Sequence, residues 1–206
     1  ARPIPPDRFR QLVDVATRTF IARGYRMTQM ADVAEALGVG KGTVYGYVES
    51  KGALFDAALR HADGRVALPE PRDLPIATPP AGATVSFVRE RLGTEAADLT
   101  LARVVAGTVA FDDARQELEA VTSDLFRRIV RNRLVIKLVD RCAVDFPDLA
   151  QVWFGDGRWA QHQLLVHLIV RRSRAGGYRP IASPEVVARL VLETTAFWAM
   201  HRHFDP

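Results

Sequence analysis

Between Gly38 and Lys51 the chain reads GVGKGTVYGYVESK, setting Lys41, Thr43, Tyr45, Tyr47 and Lys51 among four glycines. Closely spaced glycine amides beside a lysine and a hydroxyl are the ingredients of a phosphate-binding loop. On a short helix the same residues suit contact with the phosphates and base edges of a duplex. The loop reading lacks its context. A dinucleotide fingerprint needs a strand before its glycines, whereas a helical pattern precedes Gly38, and G-V-G-K-G-T misses the third glycine. A P-loop needs Gly-Lys followed directly by Ser or Thr; here Gly42 intervenes, and Glu35 stands where the first glycine belongs.

The alternative is a helix-turn-helix, whose second helix enters the major groove. Ala34 gives the crossing helix room, Gly38 can take the left-handed backbone of the turn, and Val33, Leu37, Val39 and Val44 hold the pair together. Positions 41, 42, 43, 46 and 47 are then expected to face outward. Gly42 and Gly46 each cost about 1 kcal/mol against alanine in an exposed helix, a cost that close approach to DNA would explain. Lys41 and Lys51 can neutralise phosphates; Thr28, Thr43, Tyr45 and Tyr47 can donate hydroxyl hydrogen bonds. Bland readings stand beside these: Tyr45 as partly core, Thr28 and Ser50 as helix caps only, Lys51 as a solvated lysine.

The elements that position these residues follow from apolar periodicity. Phe9, Leu12, Val13, Ala16 and Phe20 mark a first helix stopped by Gly24; Thr28 is placed to cap a second, through Leu37; a third spans about 40 to 47; Ser50 caps a fourth carrying Leu54, Phe55, Ala58 and Leu59. Five prolines in PEPRDLPIATPP, residues 69 to 80, predict a connection between two structural units. Beyond it helices are expected at 83 to 92, 95 to 110, 113 to 129, 131 to 144, 147 to 174 and 184 to 203. Alternating strand patterns are absent, so an all-α fold is predicted, with an N-terminal three-helix helix-turn-helix domain at 1–50 and a larger helical domain at 51–206.

The run GYRMTQMADVAEALGVGKGTVYGYVESKGALF, residues 24 to 55, with TFIARGY before it, resembles the DNA-binding domain of the tetracycline-repressor (TetR) family of transcriptional regulators. The resemblance covers about residues 8 to 60 and implies a homodimer that binds a palindromic operator, usually as a repressor released by a small ligand, with 1–50 as the DNA-binding domain and 51–206 as the effector-binding and dimerisation domain. Family roles fall on Thr28, Lys41, Gly42, Thr43, Tyr45, Tyr47 and Lys51. Two positions depart: Gly40 stands where the family more often has Ser, and Gly46 where a His or bulkier residue is common. With no side chain at 46, direct readout falls on Lys41, Gly42 and Thr43.

Helices 147–174 and 184–203 are apolar on more than one side, which predicts burial of a second face against a partner copy. Leu164, Leu168, Val187, Leu190, Val191 and Trp198 are the expected interface, with a monomeric core as the alternative. Phe87, Arg103, Thr108, Asp140, Cys142 and Trp159 mix apolar and polar character as walls of an effector pocket do, pointing to a largely apolar organic ligand.

Composition sets the outer bounds. The 206 residues are 48% hydrophobic and 25% charged, with a net charge of +4 that permits nucleic-acid binding without requiring it. No apolar run suits a membrane span, and ARPIPPDRFR lacks the apolar centre of a secretory signal, so a cytoplasmic location is expected. The single Cys142 reads as a buried thiol. His162 and His167, and His201 and His203, are not spaced as metal ligands, and no nucleophile has a companion base, so neither metal, cofactor nor catalytic residue is expected. The competing reading is a helical small-molecule carrier or enzyme without DNA binding; an activator rather than a repressor is a third, since polarity depends on where the operator lies relative to a promoter.

Overall fold

The computed structural model describes residues 6–201, all of them helical or connecting apart from one isolated bridge between Val48 and Ile76. Ten α-helices follow in order: α1 Pro6–Met27, α2 Met30–Leu37, α3 Lys41–Tyr45, α4 Lys51–Asp63, α5 Ala83–Ala97, α6 Thr100–Val105, α7 Ala114–Cys142, α8 Pro147–Ala150, α9 Ala160–Arg174 and α10 Pro184–Ala196. The chain is all-α, as its periodicity predicts. Two compact units divide it: residues up to Phe87 together with Leu134–Ala150, and Val88–Arg133 together with the chain from Gln151 onward. The boundary expected at 50/51 lies inside the first unit.

The first unit is built on α1, which presents Phe9, Leu12, Val13, Ala16 and Phe20 as one fully buried stripe. At Gly24 the backbone takes φ +80°, which fixes the residue type by conformation, and a Cβ there would stand 3.0 Å from the Arg141 guanidinium, which would have to give way slightly. α4 packs its Ala53, Leu54, Phe55, Ala58 and Leu59 against that stripe. Phe20, Tyr25, Phe55 and Phe146 close the unit as an aromatic cluster with neighbouring ring centroids 4.4 to 5.9 Å apart. Residues 134–150 thus share a core with the N-terminal helices. Residues 69–80, expected as a bare connection, fold back within this unit.

In the second unit Leu99, Leu101, Val104, Val121, Leu125, Leu165, Leu168, Ile169 and Ala188 form one core from α6, α7, α9 and α10. Glu117, 1% exposed, receives two hydrogen bonds from Arg172 at 2.8 and 2.6 Å and lies 3.5 Å from Arg171. Arg172 also donates to the Phe111 carbonyl, and Arg171 to that of Val104, which ties α9 to the α6–α7 turn. Arg128 on α7 does the same for the α5–α6 turn, reaching Glu95, Asp98 and Asp124 at 2.8 to 3.0 Å. Burial works against its charge, but those three hydrogen bonds hold its pKa above the ordinary arginine value.

Several expected boundaries move. α5 continues through Gly93 to Ala97, because that glycine is exposed with no packing demand on it and is simply tolerated. The break expected near 130 is absent: α7 runs 29 residues, and neither Gly, Pro nor a cap stands there to end it. The helix expected over 147–174 is interrupted by a wider π-helical segment, Gln151–Trp159, carrying Gly155 and Gly157. A second π segment, Phe197–His201, follows α10.

Candidate nucleic-acid interface

α2 and α3 are joined by a turn whose chemistry is local. Met30, Val33 and Ala34 bury the inner face of α2. Gly38 then adopts φ 70°, its N–H donating to the Glu35 carbonyl at 3.0 Å while Val39 N–H donates to Ala34 at 2.9 Å, so the last carbonyls of α2 are satisfied. Gly40 is extended and opens α3 with Thr43 N–H donating to its carbonyl at 2.9 Å; no side-chain cap is present, as expected from the glycine. Val44 turns inward and is fully buried.

What remains outward on α3 is Lys41, Gly42, Thr43 and Tyr45, followed by Gly46. Lys41 Nζ stands 6.0 Å from the centroid of the Tyr45 ring, which is 42% exposed. No atom lies within 4 Å of where a Cβ on Gly42 would be, so the fold itself does not require glycine there; at Gly46 a Cβ would meet the Thr43 carbonyl oxygen at 3.2 Å.

Three expected contact residues are placed differently. Thr28 is 1% exposed, and its hydroxyl donates to the Gly24 carbonyl at 2.7 Å, sealing the end of α1; Gln29, not Thr28, is the N-cap of α2. Tyr47 is 4% exposed rather than outward, its ring 6.3 Å from that of Phe9, because α3 ends before it and the chain turns into the core. Lys51 is half-buried: Nζ donates to the carbonyls of Thr28, Tyr25 and Arg26 at 3.0, 3.1 and 3.4 Å and sits 4.4 Å from the Tyr25 ring centroid. A cation there satisfies the carbonyl end of α1. Arg26 and Gln29 are exposed on either side of Thr28, polar residues next to a helix start.

The expected pocket residues divide between the two units. Phe87, under the Arg60 guanidinium at 4.4 Å, lies in the first unit with Asp140 and Cys142, while Arg103, Thr108 and Trp159 lie in the second. Cys142 is sealed, its Sγ 3.8 Å from the Phe20 carbonyl, and burial pushes its thiol up to about 12. Arg103 and Thr108 are exposed and joined through the Thr108 hydroxyl and the Arg103 carbonyl; Trp159 is 62% exposed. A groove of about 400 Å³ in the second unit runs instead between Thr122, Ser123, Phe126 and Arg127 of α7 and Thr194 and Trp198 of the last helix. None of the six expected pocket residues lines it.

Of the expected interface, Leu168 is fully buried in the core of the second unit, with Leu164, Val187 and Val191 packed beside it. Leu190 and Trp198 stay open, together with Val186 and Phe197, each half exposed or more. Among the described residues no cluster of His, Cys, Asp and Glu could hold a metal ion, and no helix is long and apolar enough to cross a membrane. His162 shares a hydrogen bond with the Glu185 carbonyl; the side chain of His201 and all of His203 lie outside the described residues.

Comparison with known proteins places this geometry. Residues 12–58 match the family described as bacterial regulatory proteins, tetR family. The uncharacterized HTH-type transcriptional regulator YhgD of Bacillus subtilis (strain 168) is 42% identical over 50 residues, which are 24% of this chain and 26% of that protein. The match thus spans about a quarter of the curated relative's length. Across the whole chain two solved structures share the fold at low identity. The ketosteroid transcriptional regulator KstR2 of Mycobacterium tuberculosis superposes with a TM-score of 0.54 at 18% identity, over 95% of this chain and 83% of that one. AibR in complex with isovaleryl coenzyme A and operator DNA does so with a TM-score of 0.50 at 17% identity, over 93% and 85%.

Proposed function

We propose that this chain, a member of the TetR family of bacterial regulatory proteins, acts as a homodimeric transcriptional regulator that binds a palindromic DNA operator through α3. The observation that carries the reading is the outward set Lys41, Gly42, Thr43 and Tyr45 on a helix whose inward residue, Val44, is fully buried. A helix bare of a side chain at Gly42, and followed at once by Gly46, can bring its backbone close to a groove floor. Lys41 then meets phosphate, and Thr43 reaches a base edge or a phosphate. Arg26 and Gln29 take the role at the start of α2 that Thr28 cannot fill, its hydroxyl being committed.

A second copy is the partner suited to the open apolar face of Val186, Leu190, Phe197 and Trp198. Two such domains in a dimer reach successive major grooves about 34 Å apart. A small, largely apolar organic effector that binds outside the DNA-reading helices and favours a different spacing would release the operator, giving a repressor. AibR, crystallised with both isovaleryl coenzyme A and operator DNA, supports separate sites for a small organic molecule and for DNA on this fold.

Gel-shift titration tests the assignment of the face. Lys41→Ala should weaken binding to every duplex by a similar factor and flatten the salt dependence by about one unit of slope. Thr43→Ala should change which duplex is preferred. Small, equal effects of both would remove α3 from the interface.

A further inference from the structure

The proline-rich segment after α4 lies along the exit of α3, and its hydrogen bonds are specific. Ile76 N–H donates to the Tyr47 carbonyl at 2.9 Å, and Glu49 N–H donates to the Ile76 carbonyl at 3.0 Å, which makes the parallel bridge with Val48. Two residues on, Thr78 N–H donates to Glu49 Oε2 at 2.8 Å, and the Thr78 hydroxyl donates at 2.8 Å to the Ser50 hydroxyl that caps α4 by accepting from Ala53 N–H. Along the segment Leu74 and Ile76 are half-buried while Pro75 and Ala77 are exposed, the alternation of a strand laid on a surface. Pro75, Pro79 and Pro80 have no N–H to leave unsatisfied and restrict the free chain, so docking it costs little entropy.

α3 is five residues long, too short to hold its own direction. Its direction is fixed by what grips its ends: Gly38 and Val39 at the start, and residues 47–50 at the exit. We infer that residues 74–78 are a positioning strap for α3, with Ile76, Thr78 and the Glu49 carboxylate setting the pose in which Lys41 and Thr43 meet DNA. The inference rests on the DNA-binding reading above. It makes Glu49 a positioning residue, and it has a counter-intuitive sign. Glu49 is an exposed carboxylate beside a DNA-facing helix, so electrostatics alone would have its removal tighten binding to any duplex. The strap reading has its removal lower selectivity.

The test uses the full chain, a duplex selected by the wild type from a random pool, and a random duplex of equal length. Glu49→Ala should lose about tenfold in preference for the selected duplex, the scale of one hydrogen bond to a charged acceptor. Its binding to the random duplex should hold or tighten. Amide exchange should quicken at Thr78 and Ile76. Glu49→Gln removes the charge but keeps an acceptor oxygen, and should restore both preference and protection. Thr78→Ala and Thr78→Ser form a second pair with the same expected contrast through Ser50, should Glu49→Ala fail to fold. Retained preference in Glu49→Ala and Thr78→Ala, or equal tightening by both Glu49 variants, overturns the strap while leaving DNA binding intact. A wild type that selects no duplex, with the Ile76 and Thr78 amides still protected, overturns the DNA-binding reading instead.

Discussion

Lys51 Nζ holds three main-chain carbonyls at the end of α1 at 3.0 to 3.4 Å. The Tyr25 carbonyl also receives Thr28 N–H at 3.3 Å, but Lys51 is the donor that all three oxygens share, so Lys51→Ala should cost about 2 kcal/mol, read as a fall in the thermal midpoint. A purely solvated lysine would leave the midpoint unmoved. Cys142 gives a second check. Burial raises its thiol pKa from 9.0 to about 12, so the native state keeps a proton that the unfolded chain gives up. The contribution is complete below about pH 9 and is lost as pH rises toward 12. Wild-type unfolding free energy should therefore fall more steeply across that window than that of Cys142→Ala, and the native thiol should resist labelling at pH 8. At this scale the sequence showed the outward identity of Lys41, Gly42 and Thr43, because helical spacing from the buried Val44 dictates it. It hid the roles of Thr28, Tyr47 and Lys51, since a hydroxyl or an ammonium is equally suited to a phosphate and to a carbonyl, and the carbonyls converge only after folding.

Among elements, the Gly24 break has the sharpest consequence. Alanine there must take a left-handed backbone and displace the Arg141 guanidinium. Gly24→Ala should destabilise by about 1–3 kcal/mol, measured as a lower urea midpoint at unchanged slope. The Glu117 carboxylate, buried against Arg172, is the corresponding point of the second unit: Glu117→Ala leaves a half-buried guanidinium without its partner and should cost about 3–5 kcal/mol. Helix starts and stops were legible wherever a backbone-restricting residue marks them, as at Gly24, Gly38 and Ser50. They were not where stability comes from packing. α7 runs through 130 with Val121 and Leu125 buried before that point and Leu138 and Val139 after it, and the π segment at 151–159 is invisible to periodicity, whose window does not separate wide turns from ordinary ones. The docking of residues 74–78 was hidden for a related reason: prolines announce an irregular segment but not what it lies against.

For the molecule as a whole, the return of residues 134–150 into the N-terminal unit could not be read from the chain, since Phe146 and Phe20 are paired with Tyr25 and Phe55 by topology alone. The apolar excess of the last helix was legible, and its open residues make a direct prediction. Leu190→Asp combined with Trp198→Asp should shift the protein to monomers in sedimentation equilibrium and lower affinity for an operator of two half-sites far more than for a single half-site. The most direct measurement of the central claim, that α3 reads a duplex, is selection of bound sequences by the full chain from a random duplex pool at low salt. The account predicts an enriched, two-fold symmetric sequence with half-site centres about 10 base pairs, or a multiple of one helical turn, apart. A pool that emerges without enrichment, or an enriched sequence unchanged when Thr43 and Lys41 are both replaced by alanine, would contradict it.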